Sequence, residues 1–208
     1  MSKKNQKTTT YSLDWETIVN LEARLLRDFQ SQKTPTKGRE LLMITIGTRL
    51  GMRVIDNLHL KWGDLMTLNT GEKFIRTEKK TQKQRILVMS SKLREVLDII
   101  IPILNPNPDH FILSSQKGKG CRPMTVQTFN RLLKGVMKEY KVKFLSNCSS
   151  HMLRKTFIVS AIRRGFEQGD HLSLVKVSRL IGHSNVSTTL RYTNFETNSV
   201  SIPKIRTV

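Results

Sequence analysis

Three short stretches of this chain carry side chains suited to work together on a phosphate. HMLRKT sets His151 three residues before Arg154, LIGHSNVSTTLRY sets His183 nine residues before Tyr192, and GMRVID places Arg53 just after Gly51. Helical residues three apart share a face, so His151 and Arg154 can address one ligand. Ser149 or Ser150 is placed to cap that helix, and the apolar Phe157, Ile158 and Ala161 would root it in a core. Its N-terminal end then offers a cation, free N–H groups and the positive end of the helix dipole, a combination that suits a phosphate. Arginine is apt because its planar guanidinium stays charged and grips phosphate at two points, which lysine cannot imitate. His183 follows a helix that Gly182 should stop, so a rigid element would aim it. Singly these signals are weak: H-x-x-R is usually a charged helix face, and a lone tyrosine is usually half-buried packing. Their joint presence is the informative feature. A fourth stretch, EKKTQK, offers Lys79, Lys80 and Lys83, which on their own read as solvated turn lysines.

The composition agrees with an anionic partner. Against 16 Asp+Glu stand 36 Lys+Arg, a net charge of +20, which favours a polyanion and salt-sensitive binding. With 208 residues, 38% of them hydrophobic, the chain can bury an ordinary core. Cys121 and Cys148 lie far apart without a C-x-x-C pattern, so neither a disulfide framework nor a zinc site is expected, and a reducing cytoplasm fits. None of the five histidines forms H-E-x-x-H, and the glycine-rich QKGKGCRP lacks the spacing of a nucleotide-binding loop; it reads as a phosphate-backbone contact or plain loop. No apolar run approaches the roughly 18 residues of a membrane helix, and the start has no signal-peptide core, so no membrane partner is expected.

The elements that must position these residues follow from periodicity. A helix capped by Ser12 carries Leu13, Ile18, Leu21, Leu25 and Leu26, and a second opens at Pro35 and ends or bends at Gly51. Arg53 begins a short helix. Asp64–Leu68, Lys73–Thr77 and Gln84–Met89 read as three short strands of a small antiparallel sheet. Leu93–Leu104 and Thr125–Tyr140 have helical spacing, with Phe111–Ser114 a brief extended segment between them. After the helix bearing His151 come a helix over Leu172–Ile181 and a short segment, begun by Ser187 or Thr188, that carries Tyr192.

GMRVIDNLHLKWGDL, HMLRKT and LIGHSNVSTTLRY, taken together, resemble the catalytic domain of the tyrosine recombinase (phage integrase) family, over about Ser12 to Thr193. The resemblance implies an α+β fold, a mostly helical catalytic domain with a small three-stranded antiparallel sheet. Residues 12–194 would form that domain, residues 1–11 a flexible basic leader and residues 195–208 a C-terminal tail. It also implies roles. Arg53 and Arg154 clamp the scissile phosphate and His183 donates a further hydrogen bond. Tyr192 attacks, His151 takes its proton, and Lys80 protonates the leaving 5′-oxygen. Lys80 precedes Thr81 as in the family, although Gln82 stands where glycine is common, so Lys79 and Lys83 stay open as rivals. Asp56 fills the family's carboxylate position three residues after the arginine.

The product would be a 3′-phosphotyrosine that keeps the energy of the backbone linkage, so rejoining needs no cofactor and no metal. The expected activity is site-specific DNA recombination, by integration, excision or inversion. The expected partners are double-stranded DNA, further copies of the chain in a homo-oligomer (a tetramer) assembled on it, and accessory DNA-bending proteins, in the cytoplasm with the nucleoid. Type IB topoisomerase-like relaxation and a non-catalytic DNA-binding accessory role are the alternatives. Larger members of the family carry a separate helical DNA-clamping domain ahead of this one.

Overall fold

The computed structural model describes residues 11–144, 147–183 and 185–193. The leader expected over 1–11 lies outside these residues except for Tyr11, and the tail expected over 195–208 lies wholly outside them.

Helix α1 (Trp15–Gln32) buries Ile18, Leu21, Leu25 and Phe29, and α2 (Pro35–Arg49) is packed on nearly every side from Leu41 to Thr48. A helix buried all round belongs at the centre of a domain. Accordingly α2 packs against α1, α4 (Ser91–Leu104), α5 (Val126–Glu139) and α6 (Ser150–Glu167). It ends at Leu50, and Gly51 turns the chain with φ +57° into the short α3 (Val54–Leu58), so the central helix delivers Arg53.

Strands β1 (Lys73–Thr77) and β2 (Gln84–Val88) pair antiparallel with Ile75 opposite Ile86. Arg85 and Leu87 face inward from β2, whereas Ile75, Ile86 and Val88 face out. The remaining helices, α7 (Ser173–Leu180) and α8 (Val186–Thr193), pack on α6 and on each other. They share a small apolar cluster of Ile158, Ile162, Val177 and Ile181, with Phe157, Ala161, Leu174 and Tyr192 against it, apart from the main core. Each such buried side chain contributes about 1.5–3 kcal/mol, so this cluster is modest beside the main one.

The helical expectations hold, and three local ones are corrected. Asp64–Leu68 is not a strand: among the described residues the sheet has two strands, not three. Trp62–Asp64 forms a 3-10 turn in which the Asp64 carboxylate accepts from Lys61 N at 2.8 Å. Arg94 Nη1 donates to the carbonyls of Leu65, Met66 and Leu68 at 3.2, 3.0 and 3.0 Å. A single guanidinium thus satisfies the backbone acceptors that a neighbouring strand would have served. The cap of α1 is Asp14, whose Oδ1 accepts from Thr17 N at 2.8 Å, rather than Ser12. Neither Ser149 nor Ser150 caps α6 with its side chain; Asn130 Oδ1 on α5 accepts from Ser150 N at 2.8 Å instead. Among the described residues no helix is long and apolar enough to cross a membrane.

Candidate active site

Arg154 leaves the first turns of α6 pointing inward and is 4% exposed. Its Nη1 donates to the carbonyl of Gly51 at 2.8 Å and its Nη2 to that of Ile181 at 3.0 Å, so the end of α2 and the end of α7 hold one guanidinium between them. Burial, with the charges of Arg85 and Arg53, lowers its pKa to about 10, still protonated at neutral pH. Gly51 is needed for this approach. A side chain there would adopt a left-handed backbone, and its Cβ would come within 2.2 Å of the Phe157 ring. Gly51→Ala is therefore expected to cost more than about 1 kcal/mol from the backbone conformation alone. Denaturant titration checks this; an unshifted midpoint would mean that the turn relaxes without penalty.

His183 sits in the turn closed by Gly182, with its N–H donating to Ser178 O at 3.0 Å. Its Nδ1 lies 2.9 Å from Thr189 Oγ1, a fully buried hydroxyl on α8, and its Nε2 lies 3.5 Å from Arg154 Nη2. Burial first, then the charges of Arg154, Arg53 and Arg85, depress the imidazole to about 4. The protein packed around His151 and the charges of Arg154 and Lys155 push that imidazole below its ordinary value too, although part of its surface is exposed. Both shifts favour the neutral ring. The half-buried Tyr192 ring lies near both, 5.2 Å from His151 and 5.5 Å from His183, centroid to centroid.

Arg53 completes the cleft. Its Nη1 donates to Glu78 Oε2, just beyond the end of β1. Thr81 Oγ1 donates to the same carboxylate oxygen at 2.6 Å, and Arg85 Nη1 reaches Oε1 at 3.3 Å. Arg85 Nε in turn donates to Leu180 O at 2.8 Å, on the segment leading to His183. Burial would raise Glu78, but the bonds from Thr81 and Arg53 and the charges of Arg53 and Arg85 outweigh it and hold the carboxyl ionised. Asp56, buried, accepts the backbone N–H of Lys79 at 2.9 Å.

Of the six candidates, Arg53, His151, Arg154, His183 and Tyr192 line one cleft together with Val54, Ile55 and Ser150. Lys80 is not in that lining; it is exposed in the turn between β1 and β2, as are Lys79 and Lys83. The arrangement suits an anionic group held by two arginines next to a phenol that lies near two imidazoles. Sequence reasoning passed over Glu78, Arg85 and Thr189, and used Thr81 only as the family residue that follows Lys80. For Arg85 there was a signal, a charge on the same strand parity as the core-facing Leu87. For Glu78 and Thr189 there was none, since a turn glutamate and a lone threonine read as ordinary surface.

Comparison with known proteins gives a consistent result. The sequence model of the phage integrase family matches residues 18–199. Tyrosine recombinase XerD of Listeria monocytogenes serotype 4b is 29% identical over 184 residues, covering 85% of this chain and 57% of its own length. The TnP I resolvase of Bacillus thuringiensis is 30% identical over 181 residues, covering 85% of this chain and 56% of its own. The chain thus spans little more than half the length of these relatives. Among solved structures, XerH site-specific recombinase bound to palindromic difH substrate in a post-cleavage complex superimposes with a TM-score of 0.66 at 21% identity, covering 95% of this chain and 54% of that one. XerA recombinase gives 0.65 at 22% identity, covering 91% and 62%. These superpositions establish the fold.

Proposed function

The chain belongs to the phage integrase family, and from that premise we propose that it cuts and rejoins double-stranded DNA at specific sites through a 3′-phosphotyrosine. The observation that carries this reading is the convergence of Arg53 and Arg154 on one cleft with Tyr192, whose ring lies within 5.5 Å of both His151 and His183. A phosphodiester resists attack because its negative charge repels nucleophiles, and its non-bridging oxygens gain charge in the transition state. The two arginines neutralise that charge. His183 adds a donor from Nε2 when the Thr189 hydroxyl donates to Nδ1, which is within reach at 2.9 Å.

A phenol has a reference pKa of about 10 and must lose its proton as it attacks. His151, kept neutral by its surroundings, takes that proton. The Tyr192 Oη–P bond forms as the P–O5′ bond breaks, and a lysine of the β1–β2 turn, assigned here as Lys80, protonates the departing 5′-oxygen. The reverse attack by a 5′-hydroxyl regenerates the tyrosine, so neither cofactor nor metal is called for. Further copies of the chain assemble as a tetramer on the DNA, joined by DNA-bending proteins, on the nucleoid in the cytoplasm. In this reading residues 12–194 act as one catalytic domain.

The test is covalent capture. The full chain is mixed with a pool of nicked duplexes randomised around the nick, from which the short fragment beyond the cleavage point diffuses away and strands the protein. A denaturant-resistant adduct enriched for one sequence, with its peptide mapped to Tyr192, is the expected result. Absence of any adduct would support the non-catalytic role. Adducts without sequence preference, together with relaxation of supercoiled DNA, would replace recombination by topoisomerase action.

A further inference from the structure

Glu78 holds together parts of the site that come from three places in the chain, and nothing in the chemistry above gives it a task. We propose that Glu78 is a positioning residue that locks the lysine turn onto the arginine clamp, so that one carboxylate both orients Arg53 and places the proton donor; this rests on the function proposed above.

The connectivity carries the proposal. Glu78 is buried at the start of the turn, where its N–H donates to Lys83 O at 2.9 Å and its carbonyl accepts from Gln82 N at 2.9 Å. Its side chain folds back into the same turn to accept from Thr81 Oγ1 and crosses to accept from Arg53. On the opposite side, the Asp56 carboxylate holds the N–H of Lys79. Lys80 is therefore flanked by two anchored neighbours, Lys79 on Asp56 and Thr81 on Glu78, and both anchors lead to the segment that begins at Arg53. Lys83 lies beyond Gln82, a left-handed residue with φ +56°, on the strand side of the turn. Lys79 is held directly, its N–H by Asp56 and its carbonyl by the Gln82 side chain, and Lys80 is the lysine that projects between the two carboxylate-anchored residues Lys79 and Thr81. The other carboxylate oxygen binds Arg85, which reaches Leu180 O and so ties the hairpin to the segment ahead of His183.

A buried ion pair of this kind gives little net stability, so its expected use lies in geometry. If the carboxylate places the proton donor, its loss must hurt the departure of a poor leaving group and spare a good one. Sulfur in place of the bridging 5′-oxygen provides the contrast. A thiol has a reference pKa of about 8.5, far below that of an alcohol, and leaves as thiolate without a proton.

The experiment compares Thr81→Val, Thr81→Ser, Glu78→Gln and Lys80→Ala with the unaltered full chain, on duplexes recovered by covalent capture that carry oxygen or sulfur at the scissile 5′ position. Thr81→Val, Glu78→Gln and Lys80→Ala are expected to lose roughly tenfold or more in cleavage of the oxygen duplex, as for an impaired general acid. On the sulfur duplex Thr81→Val and Lys80→Ala should come within about threefold of the unaltered chain, Glu78→Gln should recover only in part because Arg53 also loses its carboxylate, and Thr81→Ser should restore the oxygen rate. DNA binding should stay within about twofold throughout, judged against the electrostatic contribution of the clamp. Equal losses on both duplexes, or no loss on oxygen, would overturn the proposal. Should Glu78→Gln fail to fold, Thr81→Val, at a half-buried hydroxyl, decides the matter alone. An unaltered chain that forms no adduct with either duplex would instead refute the function on which the proposal rests.

Discussion

Tyr192→Phe is expected to bind the captured duplex as the unaltered chain does and to form no denaturant-resistant adduct at all. The change removes one hydroxyl and leaves the ring, which packs against the Ile158, Ile162, Val177 and Ile181 cluster and lies near both imidazoles. Packing should therefore survive while the attacking oxygen is lost. The chain has two other tyrosines, Tyr11 and Tyr140. Tyr140 is a poor substitute: its hydroxyl donates to Asp28, and burial together with that bond pushes its pKa up to about 12. Tyr11 does not line the cleft. An adduct that persisted in Tyr192→Phe would show that the nucleophile lies elsewhere, and peptide mapping of the trapped protein would identify it.

Arg154→Lys is expected to slow cleavage by roughly a hundredfold or more, the order of loss seen when a preorganised donor to a developing oxyanion is removed. The reason is specific to how this guanidinium is held. It satisfies the carbonyls of Gly51 and Ile181 while keeping its charge at the cleft, and a lysine ammonium cannot span those acceptors in the same planar geometry. Either carbonyl, left short of its donor in a buried place, costs about 1–3 kcal/mol. A lower melting temperature should therefore accompany the slower reaction. Single-turnover cleavage of the nicked duplex, measured below that melting temperature, separates the two effects. Near-normal cleavage by the folded variant would remove Arg154 from the clamp.

Much of this site was legible because its chemistry is encoded at short range. A three-residue spacing on a helix, a glycine stop before His183 and a tyrosine nine residues further on are all local facts. What stayed hidden is non-local. The short apolar-rich run Asp64–Leu68 read as a strand because nothing nearby reveals that Arg94, on α4, takes those carbonyls. Likewise, spacing brought Arg154 to the site but gave no hint that it is buried and held by two carbonyls from distant turns. Glu78 was invisible for the same reason: a carboxylate beside lysines looks solvated until Arg53 and Arg85 arrive from elsewhere in the chain. The two corrected caps belong to this class only in part. Asp14 competes with Ser12 two residues away, whereas the partner of Ser150 N comes from α5.

The separation of the apolar interior into two clusters has a consequence for the native ensemble. Tyr192 rides on α8, whose packing is with α6 and α7 over the smaller cluster, while α1 to α5 share the larger one. Opening free energies scale with the apolar surface that must be exposed, so α8 can detach for far less than the cost of unfolding the whole domain. Among the described residues, the proposed nucleophile thus rides on a helix seated over the smaller cluster, whereas the proposed clamp is supplied from the start of α3 and from α6, which also packs on the central helix. Excursions of α8 would carry Tyr192 away from the cleft while Arg53 stays at the start of α3, just past the central helix, so the population of Tyr192 in place is set by a local equilibrium rather than by global stability.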